Sequence, residues 1–437
     1  MKTNKYPEAA FDLDLFASKT SRNETNHFHI YVDDEGNYKE EDGRFIADDL
    51  TDEEYGRLIH EYIHYIQHIQ TLYGVNRTRL YNLLYIEYRK YLLSHTEVNL
   101  DLGIEEVAPQ VIQLFARALE KDGFQHYNYN IDEVEIRNED IEAARQNEQS
   151  VRIGIYDFGS DNAWDGEKGY HFGYWAIIEG MAHNIQLLID IKANDRHHSV
   201  PYKVVDRICE KYYPKIYLDK KLLISICMIA LTSDNPGVYF FEVADYADEN
   251  KIYDGRYLYK EFLSHIIIFK GKKIFQKEML RNLQSELVSI MKNLVEVEIE
   301  YYNKVFEQTN EELSTGNCTL LKIIYEGRIN DKNIFNDELL KVYGFPYIES
   351  HVSSLLQKNL ETNKPYAEIA RLISWELLYK RLINKESTKC KRYDICRDSS
   401  TFTPECRDAQ WMKEDDCLLS CGFKIFGKNV TAWKQKE

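Results

Sequence analysis

The stretch LIHEYIHYIQHIQTLY (Leu58–Tyr73) decides the fold of this chain of 437 residues. Its apolar residues recur at helical spacing, and Glu61 is its only formally charged residue. A surface helix carries charges along its outer face, whereas this segment has a polar stripe of histidine, glutamine and threonine on an otherwise apolar cylinder. We therefore predict a buried helix whose polar stripe lines a cleft.

The polar stripe contains the pattern H-E-x-x-H, formed by His60, Glu61 and His64. A spacing of four places both imidazoles on one face of a helix, one turn apart, where they can bind one zinc ion. Glu61 then lies beside the open coordination position. Burying its carboxylate is costly unless a cation compensates the charge, which also favours a metal ion at this point.

A catalytic zinc ion needs a third protein ligand, and two glutamates are candidates. Glu87 lies in a basic helical segment, where an ion pair with Lys90 explains its presence. Glu179 is the only formally charged residue of segment 169–189, so it needs a cation more than Glu87 does. We prefer Glu179 as the third ligand, and Glu87 stays open as its rival.

Two segments resemble the gluzincin group of zinc metallopeptidases. HEYIHYIQ (His60–Gln67) is similar to the H-E-x-x-H-x-x-Q form of that group, and EGMA (Glu179–Ala182) resembles its E-G-x-A ligand segment. The resemblance covers about residues 27–192, although the 114 residues between the two segments' ligands are long for the group. It implies that His60, His64 and Glu179 bind Zn²⁺, that Glu61 is the general base, and that the chain hydrolyses bonds in a peptide or protein substrate.

The sequence predicts a mainly α fold with a small N-terminal β element, an α+β arrangement. HFHIYV at 27–32 alternates like a strand, and residues 33–36 are typical of a hairpin turn. We predict a zincin-like region with this hairpin over 1–200, a helical region over 201–385 and a Cys-rich segment over 386–437.

Local signals predict the elements. Thr51 and Glu54 form a capping box that begins the first helix, and Gly74 is expected to end it. We predict a strand over 151–158 and helices over 78–94, 104–121, 131–147, 170–191, 218–232, 256–269, 276–308, 318–327 and 364–384.

The charge balance bears on partners and location. With 55 basic and 72 acidic residues the net charge is −17, and no long basic run is present. Nucleic acid and anionic membranes reward clusters of Lys and Arg, so we expect neither as the main partner. The N-terminus lacks the continuous apolar core of a secretory signal, so we expect a cytoplasmic protein.

Several assignments stay open. Glu61 and His64 also form the E-x-x-H unit of carboxylate-bridged di-iron proteins, and a non-catalytic helical protein that binds metal and interacts with a partner is another alternative. A donor that stabilises the oxyanion can come from any of four residues, namely His68, His171, Tyr174 and His183. The cysteines near the C-terminus either bind a second, structural metal or are unliganded reduced thiols, namely Cys390, Cys396, Cys406, Cys417 and Cys421.

Overall fold

The computed structural model describes residues 10–12, 17–19, 40–41, 44–45, 50–94, 108–123, 130–156, 169–269, 271–291, 296–344, 347–349 and 354–355. Helices dominate this part of the chain, so the prediction of a mainly helical fold is confirmed. The strand expected at 27–32, the helix expected at 364–384 and the Cys-rich segment at 386–437 lie outside the described residues.

The helices run through most of the described chain. They are α1 (Asp52–Gln70), α2 (Leu72–Ser94), α3 (Pro109–Asp122), α4 (Asn138–Asn147), α5 (Tyr174–Leu187), α6 (Ala193–Arg196), α7 (Val204–Tyr212), α8 (Pro214–Leu218), α9 (Lys220–Ala230), α10 (Pro236–Glu249), α11 (Gly255–Leu263), α12 (Gln276–Met291), α13 (Glu296–Thr315), α14 (Thr319–Tyr325) and α15 (Leu340–Tyr343). A π-helical turn, Phe335–Leu339, leads directly into α15.

The strands are short and belong to four small sheets. They are β1 (Ala10–Asp12), β2 (Ala17–Lys19), β3 (Glu40–Glu41), β4 (Arg44–Phe45), β5 (Glu133–Glu135), β6 (Val151–Tyr156), β7 (Tyr170–Phe172), β8 (Ile266–Phe269), β9 (Lys272–Phe275), β10 (Tyr347–Glu349) and β11 (Ser354–Leu355). The strand orders are β1-β2-β10-β11, β3-β4, β5-β6-β7 and β8-β9. The first sheet therefore joins N-terminal strands to strands near residue 350.

The capping box at the start of α1 is confirmed. The backbone N–H of Thr51 donates to Glu54 Oε2 at 2.8 Å, and the backbone N–H of Glu54 donates to Thr51 Oγ1 at 3.3 Å. These two bonds satisfy donors that an uncapped first turn leaves exposed. The first helix therefore begins where the sequence predicts.

The predicted end of α1 at Gly74 is wrong, because Thr71 ends the helix. Thr71 takes an extended conformation, and its Oγ1 accepts the backbone N–H of Gly74 at 3.1 Å, so it caps the next helix, α2. Gly74 lies in the first turn of α2, where an added Cβ would stand 2.5 Å from the carbonyl oxygen of Gln67. Glycine here allows α2 to cross the end of α1 closely.

Four other helix predictions need correction. Residues 133–135 and 170–172 are strands, because they pair antiparallel with the two halves of β6. The helix expected over 256–269 ends at Leu263, and the β-branched run at 266–268 enters β8. The helix expected over 276–308 is two helices, α12 and α13. No helix was predicted at the positions of α6, α7, α8, α10 and α15.

Helices α1 and α5 pack side by side at the centre of a hydrophobic core that extends from Leu50 to Tyr343. Gly56 of α1 contacts Gln186 of α5, where an added Cβ would lie 3.3 Å from Cγ. Helices α7 and α9 pack against the same helix α5. No helix in the described part combines the length and apolar character needed to cross a bilayer.

Candidate metal centre

The two central helices bring the three predicted metal ligands together. His60 and His64 project from one face of α1, and Glu179 projects from α5. Glu179 Oε2 lies 3.4 Å from His60 Nε2 and 3.5 Å from His64 Nε2. Each of the three ligands offers one such atom, and the three atoms lie within 4.8 Å of one another. This buried cluster, which we call the HHE site, could hold a metal ion.

Burial and charge determine the protonation of the HHE site. Burial by itself lowers the pKa of His64, but the adjacent Glu179 carboxylate outweighs it and raises that pKa to about 9. Burial by itself raises the pKa of Glu179, but His64 and His60 outweigh it and hold the carboxyl pKa well below its usual range. Burial lowers the pKa of His60. Without a metal ion, the site therefore holds one imidazolium, His64, against one carboxylate.

Gln67 fixes the orientation of His64. Gln67 Nε2 donates to the carbonyl oxygen of Ile178 at 3.1 Å, so its Oε1 faces His64 Nδ1 at 2.9 Å. A carboxamide oxygen only accepts, so His64 Nδ1 carries the hydrogen and donates it. When His64 is neutral, the lone pair of Nε2 therefore points at the HHE site.

The two candidate glutamates have different surroundings in the structure. Glu179 is 7% exposed and faces both histidines. Glu87 lies on α2, where its Oε1 accepts from Lys90 Nζ at 2.5 Å. The surface pair expected for Glu87 is present, and Glu87 is not among the clustered ligands of the HHE site.

Glu61 is the sequence neighbour of one of the predicted metal ligands. It follows His60 on α1 and is half-buried. Its carboxylate is one of the groups that raise the pKa of His64, after the larger effect of Glu179. Glu61 therefore combines closeness to the metal ligands with partial access to solvent.

A cluster of rings from α5 and from the segment that follows it lies beside His60 of the HHE site. The ring centroid of His197 lies 5.7 Å from that of His60, 5.0 Å from that of His183 and 4.3 Å from that of Tyr202. Burial, and then the nearby imidazoles, lower the pKa of His183 well below its usual range and that of His197 to about 4. Both rings are therefore neutral near pH 7, and one donates to the other across the 3.0 Å between their Nδ1 atoms.

Sequence reasoning missed His197 and Tyr202. They lie past the end of the predicted zinc-ligand helix, in a segment of RHHSVPY without helical periodicity. The only signal was the pair His197–His198, which no spacing rule connects to His60. The fold brings this segment back onto α1.

The other three candidate oxyanion donors have hydrogen-bond partners of their own. His68 Nε2 and the Tyr174 hydroxyl are hydrogen-bonded to each other at 3.1 Å, and both side chains are buried. His171 is an exposed residue of β7, and its Nδ1 lies 3.3 Å from Ser150 Oγ. None of these contacts joins His68, Tyr174 or His171 to the HHE site.

Gly180, next to Glu179, permits close packing of α7. Its neighbour is a side chain, since an added Cβ would lie 2.4 Å from Val205 Cγ2. One turn later, Asn184 Nδ2 donates to Asp206 Oδ2 at 2.7 Å. Helix α7 is thus attached to α5 directly behind Glu179.

Comparisons with known proteins add no relative to this description. The chain matches no family model, no curated protein and no solved structure.

Proposed function

We propose that the chain is a zinc-dependent hydrolase of peptide bonds, with a zincin-like catalytic region of the gluzincin type. The observation that carries the proposal is the spacing of the HHE site. Atoms that bind one tetrahedral ion at zinc distances lie roughly 3.3–3.5 Å apart. The separations of 3.4 and 3.5 Å between Glu179 Oε2 and the two histidine nitrogens fit this spacing.

The donor set favours zinc in a catalytic role. Two imidazoles and one carboxylate are a ligand set of catalytic zinc, whereas structural zinc takes four protein ligands. Among the described residues, the HHE site is the only cluster of three or more His, Cys, Asp or Glu ligands, and it has three members. Three protein ligands leave a coordination position for water or substrate.

The residues around the ion have distinct roles in the proposal. A zinc ion held by the HHE site would act as a Lewis acid and lower the pKa of a water molecule towards about 7. Glu61 accepts the proton of the attacking water and passes it to the leaving amine. Gln67 keeps the lone pair of His64 Nε2 directed at the ion. The partial burial of Glu61 is compatible with this exchange of a proton with water.

The peptide substrate is supported by the resemblance of HEYIHYIQ and EGMA to gluzincins. Pairing of a substrate with β7 of the three-stranded sheet is not favoured, because the edge of this strand is covered. An added Cβ at Gly123 would lie 2.1 Å from the carbonyl oxygen of His171, and one at Gly237 would lie 2.5 Å from that of Phe172. We therefore do not expect a peptide substrate to pair with β7.

The di-iron alternative lacks support in the described residues. Such a centre needs carboxylates and histidines from four helices. The HHE site has one carboxylate and two histidines, and they come from only two helices. The non-catalytic alternative predicts the same bound metal without turnover. Catalysis therefore has to be tested separately from metal binding.

Two measurements test the proposal. Metal analysis of the purified protein should find one zinc per chain, lost in His60→Ala. Glu61→Gln should retain zinc and lose cleavage of an unfolded protein such as casein. An unchanged cleavage rate in Glu61→Gln would refute the general base, and zinc without any cleavage in the native protein would support the non-catalytic alternative.

A further inference from the structure

The hairpin β8–β9 presents apolar side chains on its outer face. The pairing register places Ile266 opposite Phe275, and Ile268 opposite Lys273. Directly opposed residues share one face of an antiparallel pair. On this face Ile266 is 63% exposed, Ile268 76% and Phe275 41%. Three large apolar side chains thus form one exposed patch, whereas Ile267 and Ile274 of the opposite face are half-buried.

Lysines are frequent in and next to this hairpin. Residues 262–277 contain Lys270, Lys272, Lys273 and Lys277 and no Asp or Glu. Glu261 and Glu278 flank this segment, and Glu278 Oε2 accepts the backbone N–H of Phe275 at 2.8 Å. Lys272 and Lys273 are exposed, and Lys277 Nζ lies 5.9 Å from the ring centroid of Phe275. The hairpin is therefore basic and apolar on the surface of an acidic protein.

The tip of the hairpin is prominent. Gly271 takes a left-handed conformation with φ of 76°, as a tight turn requires, and an added Cβ there would meet no atom within 4 Å. The open space around Gly271 leaves this position accessible to a broad surface such as a membrane. Lysines alone have a simpler explanation, since they protect edge strands from pairing with other chains. That explanation leaves the exposed Ile266, Ile268 and Phe275 unexplained.

We propose that the β8–β9 hairpin docks on an anionic lipid surface. Ile266, Ile268 and Phe275 would enter the boundary between headgroups and acyl chains, and Lys273 of the same face would contact acidic headgroups. Lys272 lies on the opposite face, next to the turn, and would reach headgroups at the rim of the contact. The net charge of −17 does not prevent this contact, because salt screens distant charges over about 8 Å at physiological ionic strength. The expectation from the sequence that anionic membranes are not a partner rested on the absence of a long basic run, and this cluster is short.

Vesicle flotation of the full-length protein tests the proposal. The protein should float with vesicles that contain phosphatidylserine and phosphatidylcholine, and not with phosphatidylcholine alone, and binding should weaken as salt is raised. Lys272→Glu/Lys273→Glu and Ile266→Ser/Ile268→Ser should each weaken binding at least roughly tenfold. Both pairs are exposed, so circular dichroism should show a native fold.

Matched variants elsewhere on the surface serve as controls. Lys215→Glu/Lys251→Glu makes the same change of charge at exposed lysines, and Ile191→Ser/Leu218→Ser removes apolar residues that are 74% and 82% exposed. Both controls should bind vesicles like the native protein. In addition, Phe275→Trp should gain a blue-shifted emission with phosphatidylserine vesicles, measured against the native protein.

Three results would overturn the proposal. The first is no flotation with phosphatidylserine vesicles even at low salt. The second is equal loss of binding in the hairpin variants and their controls. The third is a native protein that does not bind vesicles but forms a dimer that Ile266→Ser/Ile268→Ser dissociates, because the patch would then be an interface between copies. Zinc content and cleavage are independent of all three results.

Discussion

Gln67 joins the two helices of the HHE site through a hydrogen bond of 3.1 Å from its Nε2 to the carbonyl oxygen of Ile178. Ile178 precedes Glu179, and the other end of the same carboxamide accepts from His64. One buried side chain therefore fixes both the ring of one metal ligand and the backbone next to another. Such contacts around metal ligands set the geometry and basicity of the ligands themselves.

We expect Gln67→Met to weaken zinc binding roughly 10- to 100-fold. Methionine fills a similar volume but can neither accept from His64 Nδ1 nor donate to Ile178, so the imidazole loses its fixed orientation. Competition with a chromogenic chelator measures the affinity. Zinc affinity equal to that of the native protein would show that Gln67 is only a packing residue.

Gln70→Met is the matched control for Gln67→Met. Gln70 is also a buried glutamine of α1, but its Nε2 donates to Glu312 Oε2 at 2.5 Å, within a network that includes Tyr343. Its replacement should lower the melting temperature because it removes a partner of the buried Glu312. Zinc affinity should remain that of the native protein.

Zinc affinity should rise with pH up to about 9. The pKa of His64 is raised to about 9, so below this pH a metal ion must displace the proton on Nε2. The apparent association constant should therefore increase roughly tenfold per unit between pH 7 and pH 9. Isothermal titration in buffers of different ionisation enthalpy should show about one proton released per ion at pH 7. An affinity independent of pH in this range would contradict a protonated His64.

The free energy of unfolding of the metal-free protein should fall as pH rises, in contrast to the zinc affinity. His64 has a folded pKa above its unfolded value of 6.5, so its contribution to stability is fully present below pH 6.5 and is lost as pH rises towards 9. Glu179 has a folded pKa below its unfolded value of 4.5, so its contribution is fully present above pH 4.5 and is lost only as pH falls below that value. Chemical denaturation with a chelator present should show this decline from neutral to alkaline pH. His64→Gln, which has no imidazole to titrate, should lack it.

Local signals were sufficient for parts of the fold and site. The capping box of Thr51 and Glu54 involves residues three apart, and the shared face of His60 and His64 follows from helical geometry alone. Glu179 was selected from a distance of more than a hundred residues, because a lone carboxylate in an apolar helix requires a cation. Glu87 was the weaker candidate for the same reason, since Lys90 lies beside it.

Other features depend on contacts that no local pattern contains. Strands β5 and β7 are three residues each, and they exist because β6 supplies hydrogen-bond partners on both sides. A glycine after an apolar helical run predicts a helix end, but the role of Gly74 follows from the crossing of α2 over Gln67. His197 reaches His60 only because the chain turns back after α5. These contacts between distant residues cannot be predicted from residue spacing along the sequence.

The assignment of Glu179 as the third ligand leads to a paired prediction. Glu179→Gln should reduce zinc content to a small fraction of one ion per chain, because a neutral carboxamide is a poor zinc ligand. Glu87→Gln should retain a full ion, since it removes only the ion pair with Lys90. Metal analysis after dialysis against a weak chelator distinguishes the two. Retention in Glu179→Gln with loss in Glu87→Gln would transfer the role of third ligand to Glu87.

The packing behind Glu179 supplies the last prediction. Gly180→Ala would place a methyl group 2.4 Å from Val205 Cγ2, so α7 must shift away from α5. We expect a loss of about 1–3 kcal/mol in the free energy of unfolding, as for other overpacked cores. Val205→Ala added to Gly180→Ala should recover part of the loss, because it removes the two methyl groups that clash, whereas Val205→Ala alone should destabilise by leaving a cavity. Denaturant titrations of the four proteins give the coupling energy, and additive effects would show that Gly180 and Val205 do not pack as the structure places them.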